Sequence, residues 1–223
     1  MTKELLIQAL LKVFAGIVLM AALLFLPAGT MDYPQGWRLL LLLFIPMILA
    51  GFVMMAKCPD LLRKRLNMKE KLGDQKQVVL LSGVMFIAGF AVSGLSFRFG
   101  WLMLPDWVSV AACAVFLLSY LMYAEVMREN AFLSRTIEVQ ENQYVVDTGL
   151  YAHVRHPMYS ATILLFLSIP LILRSVLGFV VFMAYPMIII KRIRGEEAFL
   201  SGHLPGDAQY QTRVRWRLIP FIW

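Results

Sequence analysis

Long apolar runs separated by short polar stretches divide this chain. From about 5 to 26, 37 to 56, 78 to 97 and 107 to 127, nearly every position is apolar, with no polar face at helical spacing. A helix that is hydrophobic all round is either buried or facing lipid, and about 20 such residues cross a bilayer. Two shorter runs follow, about 158–173 and 176–190, separated only by Arg174 and Ser175. At about 1.5 Å per residue each falls short of the roughly 30 Å hydrocarbon core. They are expected to form a tight helical hairpin, with Pro170 and Pro186 bending its arms. The predicted fold is therefore all-α, a polytopic transmembrane bundle of about six spans in a single domain, 1–223. Residues 1–127 hold four spans, and 128–223 hold the hairpin and the polar residues of chemical interest.

Breakers and small residues add detail. The first run stops at Pro27-Ala28-Gly29, and Pro46 removes a backbone donor in the middle of the second. Gly83, Gly89, Ser93 and Gly94 give the third run small surfaces for close helix packing, within the chain or against a second copy. The polar segment 57–77 is expected as an interfacial helix with Leu61, Leu62 and Leu66 toward lipid. In the segment 128–147, Thr136 to Val146 alternates and is expected as an extended stretch or small hairpin. Residues 13–26 after Lys12 imitate a secretory signal core, but the apolar run begins at Leu5 and is long enough to span.

Composition agrees with the pattern. Sixty per cent of residues are hydrophobic and sixteen per cent charged, with a mean hydropathy of +0.72, which excludes an ordinary soluble domain of this length. The net charge of +7 brings no nucleic-acid motif with it; it reports orientation. Of 21 basic residues, only Arg38, Arg98 and Arg174 fall on one side of a six-span arrangement. The positive-inside rule then puts both termini, the 57–77 segment and the polar clusters on the cytoplasmic face of the inner membrane. Cys58 and Cys113 are read as unpaired thiols, and no metal site is expected.

The candidate chemistry lies in two clusters at the ends of apolar helices. Polar groups at such positions are expensive to keep and are functional candidates. The first is Gly149-Leu-Tyr-Ala-His-Val-Arg-His-Pro-Met-Tyr159. Pro157 suits a first helical position and pushes His156 out of helical geometry. The free N–H groups of that helix start then offer an anion site beside Arg155 and His156, and Gly149 lets the loop approach a ligand closely. A plainer reading has His156 capping the helix and Arg155 reaching lipid headgroups. The second cluster is Arg192-Ile-Arg-Gly-Glu-Glu197. Arg192 and Glu196, four apart, can form an ordinary surface pair. A cation held between the two carboxylates and the anion site would instead account for both clusters. S-adenosylmethionine fits in kind, with its ammonium at Glu196 and Glu197 and its carboxylate at the helix-end donors.

The chain resembles the isoprenylcysteine carboxyl methyltransferase family, which is related to membrane phospholipid methyltransferases. The resemblance is carried by Gly149-Leu-Tyr151, Arg155-His-Pro-Met-Tyr159, Arg192-Ile-Arg-Gly-Glu-Glu197 and Gly206-Asp-Ala-Gln-Tyr210 to Arg217-Leu-Ile-Pro220. Weaker matches at 32–37 and 59–65 extend it over most of the chain. It implies an integral membrane enzyme that binds S-adenosylmethionine in a cytoplasmic pocket, with a lipidic or lipidated acceptor arriving from the bilayer. Carried over residue by residue, it implies cofactor contacts by His156, Tyr159 and Glu197, with Tyr151 and the Val145 to Gly149 segment lining the pocket, beside the Arg155 of the anion site. Arg192 would hold an acceptor carboxylate at the reaction centre; an amine acceptor would instead have to lose a proton, with Glu196 or His156 as possible bases. Leu150 and Asp207 depart from the proline and tyrosine common in the family. The competing expectations are an ethanolamine-phospholipid N-methyltransferase and, in another class, a structural membrane protein or transporter. Transport is disfavoured by the near absence of ionisable residues inside the spans.

Overall fold

The computed structural model describes residues 3–66, 73–134 and 136–223. Its helices are α1 (Lys3–Ala28), α2 (Pro34–Lys57), α3 (Pro59–Leu66), α4 (Gly73–Phe99), α5 (Asp106–Glu129), α6 (Pro157–Ile172), α7 (Val176–Phe182), α8 (Ala184–His203) and α9 (Asp207–Arg213), with a 3-10 turn at Gly149–Ala152 before α6. Among the described residues five helical runs are long and apolar enough to cross a membrane, and Pro157–Ile172 is a shorter apolar helix. The all-α polytopic architecture read from the hydrophobic runs is thus present.

The short arm and the long arm of the hairpin differ. Helix α6 has 16 residues, as expected, but the second arm runs from Val176 to His203 and not to 190. It parts at Met183, three residues before Pro186. Proline has no N–H to give the Phe182 carbonyl, so the helix interrupts there and reforms. Nothing after Ile190 stops it until the Leu204-Pro205-Gly206 corner, where Gly206 takes φ +87°. The polar residues 192–197 therefore ride on a continuation of a membrane helix.

Helix α4 is the central pillar, in contact with α1, α7 and α8. Its small residues make those approaches possible. A Cβ on Gly89 would lie 2.4 Å from the fully buried Phe182 ring, and one on Gly94 would lie 2.7 Å from the Leu24 carbonyl. Ser93 faces Gly178, where a Cβ would meet its hydroxyl at 2.2 Å. Gly83, by contrast, faces open space, so the packing expected of all four small residues belongs to three of them and is met within the chain.

At one end of the bundle Tyr33 stacks on Phe97 at 4.1 Å and donates to the Leu173 carbonyl at 3.3 Å. Ser175 caps α7 by accepting from Gly178 N at 2.9 Å. The same end gathers Arg38 and Arg174 around Asp106, at 3.7 and 3.9 Å, while Arg98 lies against Gly29. The three basic residues that the charge pattern set apart thus share one end, opposite the polar clusters.

Two local expectations change. Leu62 is buried against Leu5 and Met55, not turned to lipid, because α3 folds back onto the start of α1, where Lys12 donates to the Leu66 carbonyl. Residues 67–72 of the basic segment lie outside the described residues, as does Arg135. The segment 136–146 is extended with a turn at 140–143, closed by Gln143 N on the Gln140 carbonyl at 3.1 Å, and forms no strand.

Gly89→Ala is expected to lower stability by about 1–3 kcal/mol, the usual cost of overpacking a full core, whereas Gly83→Ala should be neutral. Thermal unfolding in detergent tests this, and equal midpoints for the two variants would show that the Phe182 ring yields.

Candidate active site

The start of α6 is built by a proline and a returning tail. His156, held before Pro157, takes φ −127° and ψ 60°, outside the helical region as a pre-proline residue should be. The C-terminal segment runs beside it, with Arg155 N donating to the Trp216 carbonyl at 2.8 Å and His156 N to the Arg217 carbonyl at 2.9 Å. Ser160 Oγ donates to the Leu218 carbonyl at 2.7 Å. The two donors just ahead of the helix, Arg155 N and His156 N, are therefore engaged by the tail.

Glu197, on α8, is the point where these segments meet. Its Oε1 lies 2.8 Å from Arg155 Nε and 3.1 Å from His156 Nε2, and its Oε2 accepts from Arg217 Nε at 2.8 Å. The carboxylate is buried, with the residue 7% exposed. The Arg155 approach is an ion pair without a directed hydrogen bond; that guanidinium donates instead through Nη1 to the Gln211 carbonyl at 2.9 Å. A buried carboxylate is tolerable only when paired and hydrogen-bonded, and here two guanidiniums and an imidazole surround it.

Its neighbour Glu196 points elsewhere, since successive residues of an α-helix are about 100° apart. Tyr159 donates its hydroxyl proton to Glu196 Oε2 at 2.6 Å and accepts from Arg192 Nε at 2.8 Å. Arg192 Nη1 also donates to Gln75 Oε1 at 3.4 Å. Arg192 and Glu196 therefore meet through the Tyr159 hydroxyl, where a surface pair was one expectation.

Both groups face one cleft of about 940 Å³, a figure that includes the open space at its mouth. It lies between the extended segment 130–146, the start of α6, the outer part of α8 and the corner at 204–211. Val145, Tyr151, Arg155, His156, Tyr159, Arg192, Glu196 and Glu197 all line it. Gly149 does not. It takes φ +54°, and a Cβ there would fall 1.6 Å from Glu129 Oε1; the Glu129 carboxylate accepts from Leu150 N at 3.0 Å. Its role is to let the last residue of α5 grip the 3-10 turn, not to admit a ligand.

Several lining residues had no assigned role in the sequence. Tyr210 donates to the Tyr151 carbonyl at 2.7 Å, and Asn130 Nδ2 donates to the Tyr151 hydroxyl at 3.1 Å, so both steady that ring. Asp207 opens α9, and burial pushes its carboxyl above the usual aspartate range. Burial likewise raises the Tyr151 and Tyr210 hydroxyls, keeping them neutral donors. An Asp directly after Gly206 was a readable helix start; Asn130 and Gln75 carry no such signal.

Removing Glu197 leaves buried positive charge uncompensated. Glu197→Ala should cost about 3–5 kcal/mol and lower the unfolding midpoint, whereas Glu196→Ala should leave it within about a degree or two. Similar midpoints for both variants would show that the clamp does not hold the cleft wall.

The model of a family described as the isoprenylcysteine carboxyl methyltransferase (ICMT) family matches residues 109–202, from α5 to the end of α8. That segment contains both glutamates, Arg192 and the whole first cluster. No curated protein sequence matches significantly. Among solved structures, the eukaryotic intramembrane Ras methyltransferase ICMT, determined without a monobody, superposes with a TM-score of 0.52 at 20% identity, over 95% of this chain and 85% of that one. At that identity the likeness is one of fold.

Proposed function

We propose that this chain, whose residues 109–202 match the model of the isoprenylcysteine carboxyl methyltransferase family, is an integral membrane methyltransferase that uses S-adenosylmethionine to methylate a carboxylate or thiol of an isoprenoid or other lipidic acceptor. The observation that carries the reading is the Arg192–Tyr159–Glu196 chain of hydrogen bonds on the cleft wall. It sets a guanidinium, suited to an acceptor carboxylate, within one hydroxyl of a carboxylate suited to an ammonium. The donor set of the cleft suits the cofactor's charges, with a division of labour. Glu196 has one oxygen without a partner among the described residues and is the better ammonium ligand. Glu197 is saturated by Arg155, His156 and Arg217 and serves to hold the wall.

When bound, the cofactor supplies an activated methyl group. A carboxylate or thiolate acceptor is already nucleophilic, so the chain's residues need only align it and exclude water. Arg192 would hold the acceptor, with Tyr159 keeping the guanidinium in place. The neutral Tyr151 ring, steadied by Asn130, would form part of the cofactor wall with Val145. The charge pattern supports a cytoplasmic position for this end of the bundle, with both termini on the same side. The exposed apolar helix faces suit an acceptor that stays in the bilayer.

Two measurements test the reading. Calorimetric titration with S-adenosylhomocysteine should show binding by the intact protein, lost in Glu196→Ala and kept within about threefold in Arg192→Ala. Methyl transfer from labelled cofactor should fall at least about a hundredfold in Arg192→Ala. Equal loss of binding and transfer in Arg192→Ala would reassign that residue to the cofactor. Alkali release of labelled methanol from the lipid extract identifies a methyl ester; label stable to alkali would instead indicate S- or N-methylation.

A further inference from the structure

Arg192 is reached from the far side of the molecule by one residue of the α4 start, Gln75. This amide is 3% exposed, unusually deep for a neutral polar side chain at the polar end of a membrane helix. Its Oε1 accepts from Arg192 Nη1 at 3.4 Å. On its other side the amide lies over the backbone of α8 at Gly195, where a Cβ would stand 2.3 Å from Gln75 Nε2. Glycine in a helix interior is unfavourable by roughly 1 kcal/mol relative to alanine, so its presence between Arg194 and Glu196 calls for a local reason. Space for the Gln75 amide is that reason.

The arrangement has the logic of a support for a reacting group. Arg192 is held at Nε by the Tyr159 hydroxyl at 2.8 Å and at Nη1 by Gln75, so the plane of the guanidinium is set from two sides. Tyr159 comes from α6 and Gln75 from α4, helices that flank α8. Two residues on, Gln77 Oε1 accepts from Lys191 Nζ at 2.8 Å, a second tie between the same two helices. A planar guanidinium binds a carboxylate best when its orientation is fixed in advance.

We infer that Gln75 is a positioning residue for the reaction, seated in the space left by Gly195 and orienting the Arg192 guanidinium toward the acceptor. The inference rests on the proposed methyltransferase function. It also predicts that Gly195 is required as a glycine: a methyl group there would lift the amide from Arg192 without altering any residue of the cleft wall.

The experiment compares Gln75→Ala, Gln75→Glu and Gly195→Ala with the unaltered protein, using methyl transfer from labelled S-adenosylmethionine into a membrane lipid extract and titration with S-adenosylhomocysteine. Expected is a drop of about tenfold or more in kcat for Gln75→Ala and Gly195→Ala, with S-adenosylhomocysteine affinity within about twofold. Gln75→Glu, which keeps an oxygen facing Arg192, should retain more activity than Gln75→Ala. Wild-type kcat in Gln75→Ala would overturn the inference. So would parallel loss of cofactor affinity, or equal losses in Gln75→Ala and Gln75→Glu, since a merely structural role would give either. Absence of transfer by the unaltered protein would instead remove the proposed function and the inference with it.

Discussion

The cleft depends on a single buried carboxylate. Glu197 sits on α8, Arg155 and His156 on the loop before α6, and Arg217 on the tail, and only when all of them converge is the charge compensated. The desolvation cost of such a group is several kcal/mol, so an incomplete set would be expelled toward water. The pairing therefore acts as a latch on three chain segments. Its consequence is that the tail must lie against the start of α6, and the backbone bonds from Arg155 and His156 to residues 216 and 217 follow in register.

The latch works because the membrane frame brings the two helices to it at the right depth. Helix α6 is short and α8 overshoots, so the start of one faces the polar extension of the other. The parting at Met183, forced by Pro186, and the close contacts of Gly89 and Gly178 on α4 and α7 set where α8 emerges. Packing in the apolar part of the chain thus fixes the geometry of a polar site more than a helical turn away. Hydrophobic matching to lipid cannot do this, because lipid is as apolar as the side chains; the specificity comes from small residues and shape.

Much of this was legible in the residues. Continuous apolar runs marked the long membrane helices and their order, because a bilayer imposes a length that soluble folds do not. Arg155, His156, Tyr159, Arg192, Glu196 and Glu197 were recognisable as a set through the two polar clusters and the family resemblance that these clusters carry. What local pattern could not reveal was partnership across long separations. The expectation for Gly149 invoked a ligand, whereas its partner is Glu129, 20 positions earlier. Leu62 looked lipid-facing by its helical face, yet α3 folds onto α1. The second hairpin arm seemed to end at Ile190 because hydropathy ends there, but helical hydrogen bonding does not require apolar side chains and continued to His203. Gln75 lay unnoticed in a charged segment, because nothing about a glutamine in a basic stretch announces burial.

Glu196 and Glu197 show how one helix divides two duties between identical side chains. From residue type alone both carboxylates suited an ammonium ligand. The turn of about 100° between neighbours sends one toward the fixed cations of the protein and the other toward the cleft. A carboxylate that already has Arg155, Arg217 and His156 has little attraction left for a further cation, since its charge is compensated before a ligand arrives. Among the described residues Glu196 is hydrogen-bonded only to the Tyr159 hydroxyl, a neutral donor. Arg155 and Arg217 are committed to Glu197, whereas Arg192 lines the cleft and is oriented there through Tyr159 and Gln75. Position on the helix, not residue type, thus separates the carboxylate that holds the cleft together from the one left to a ligand.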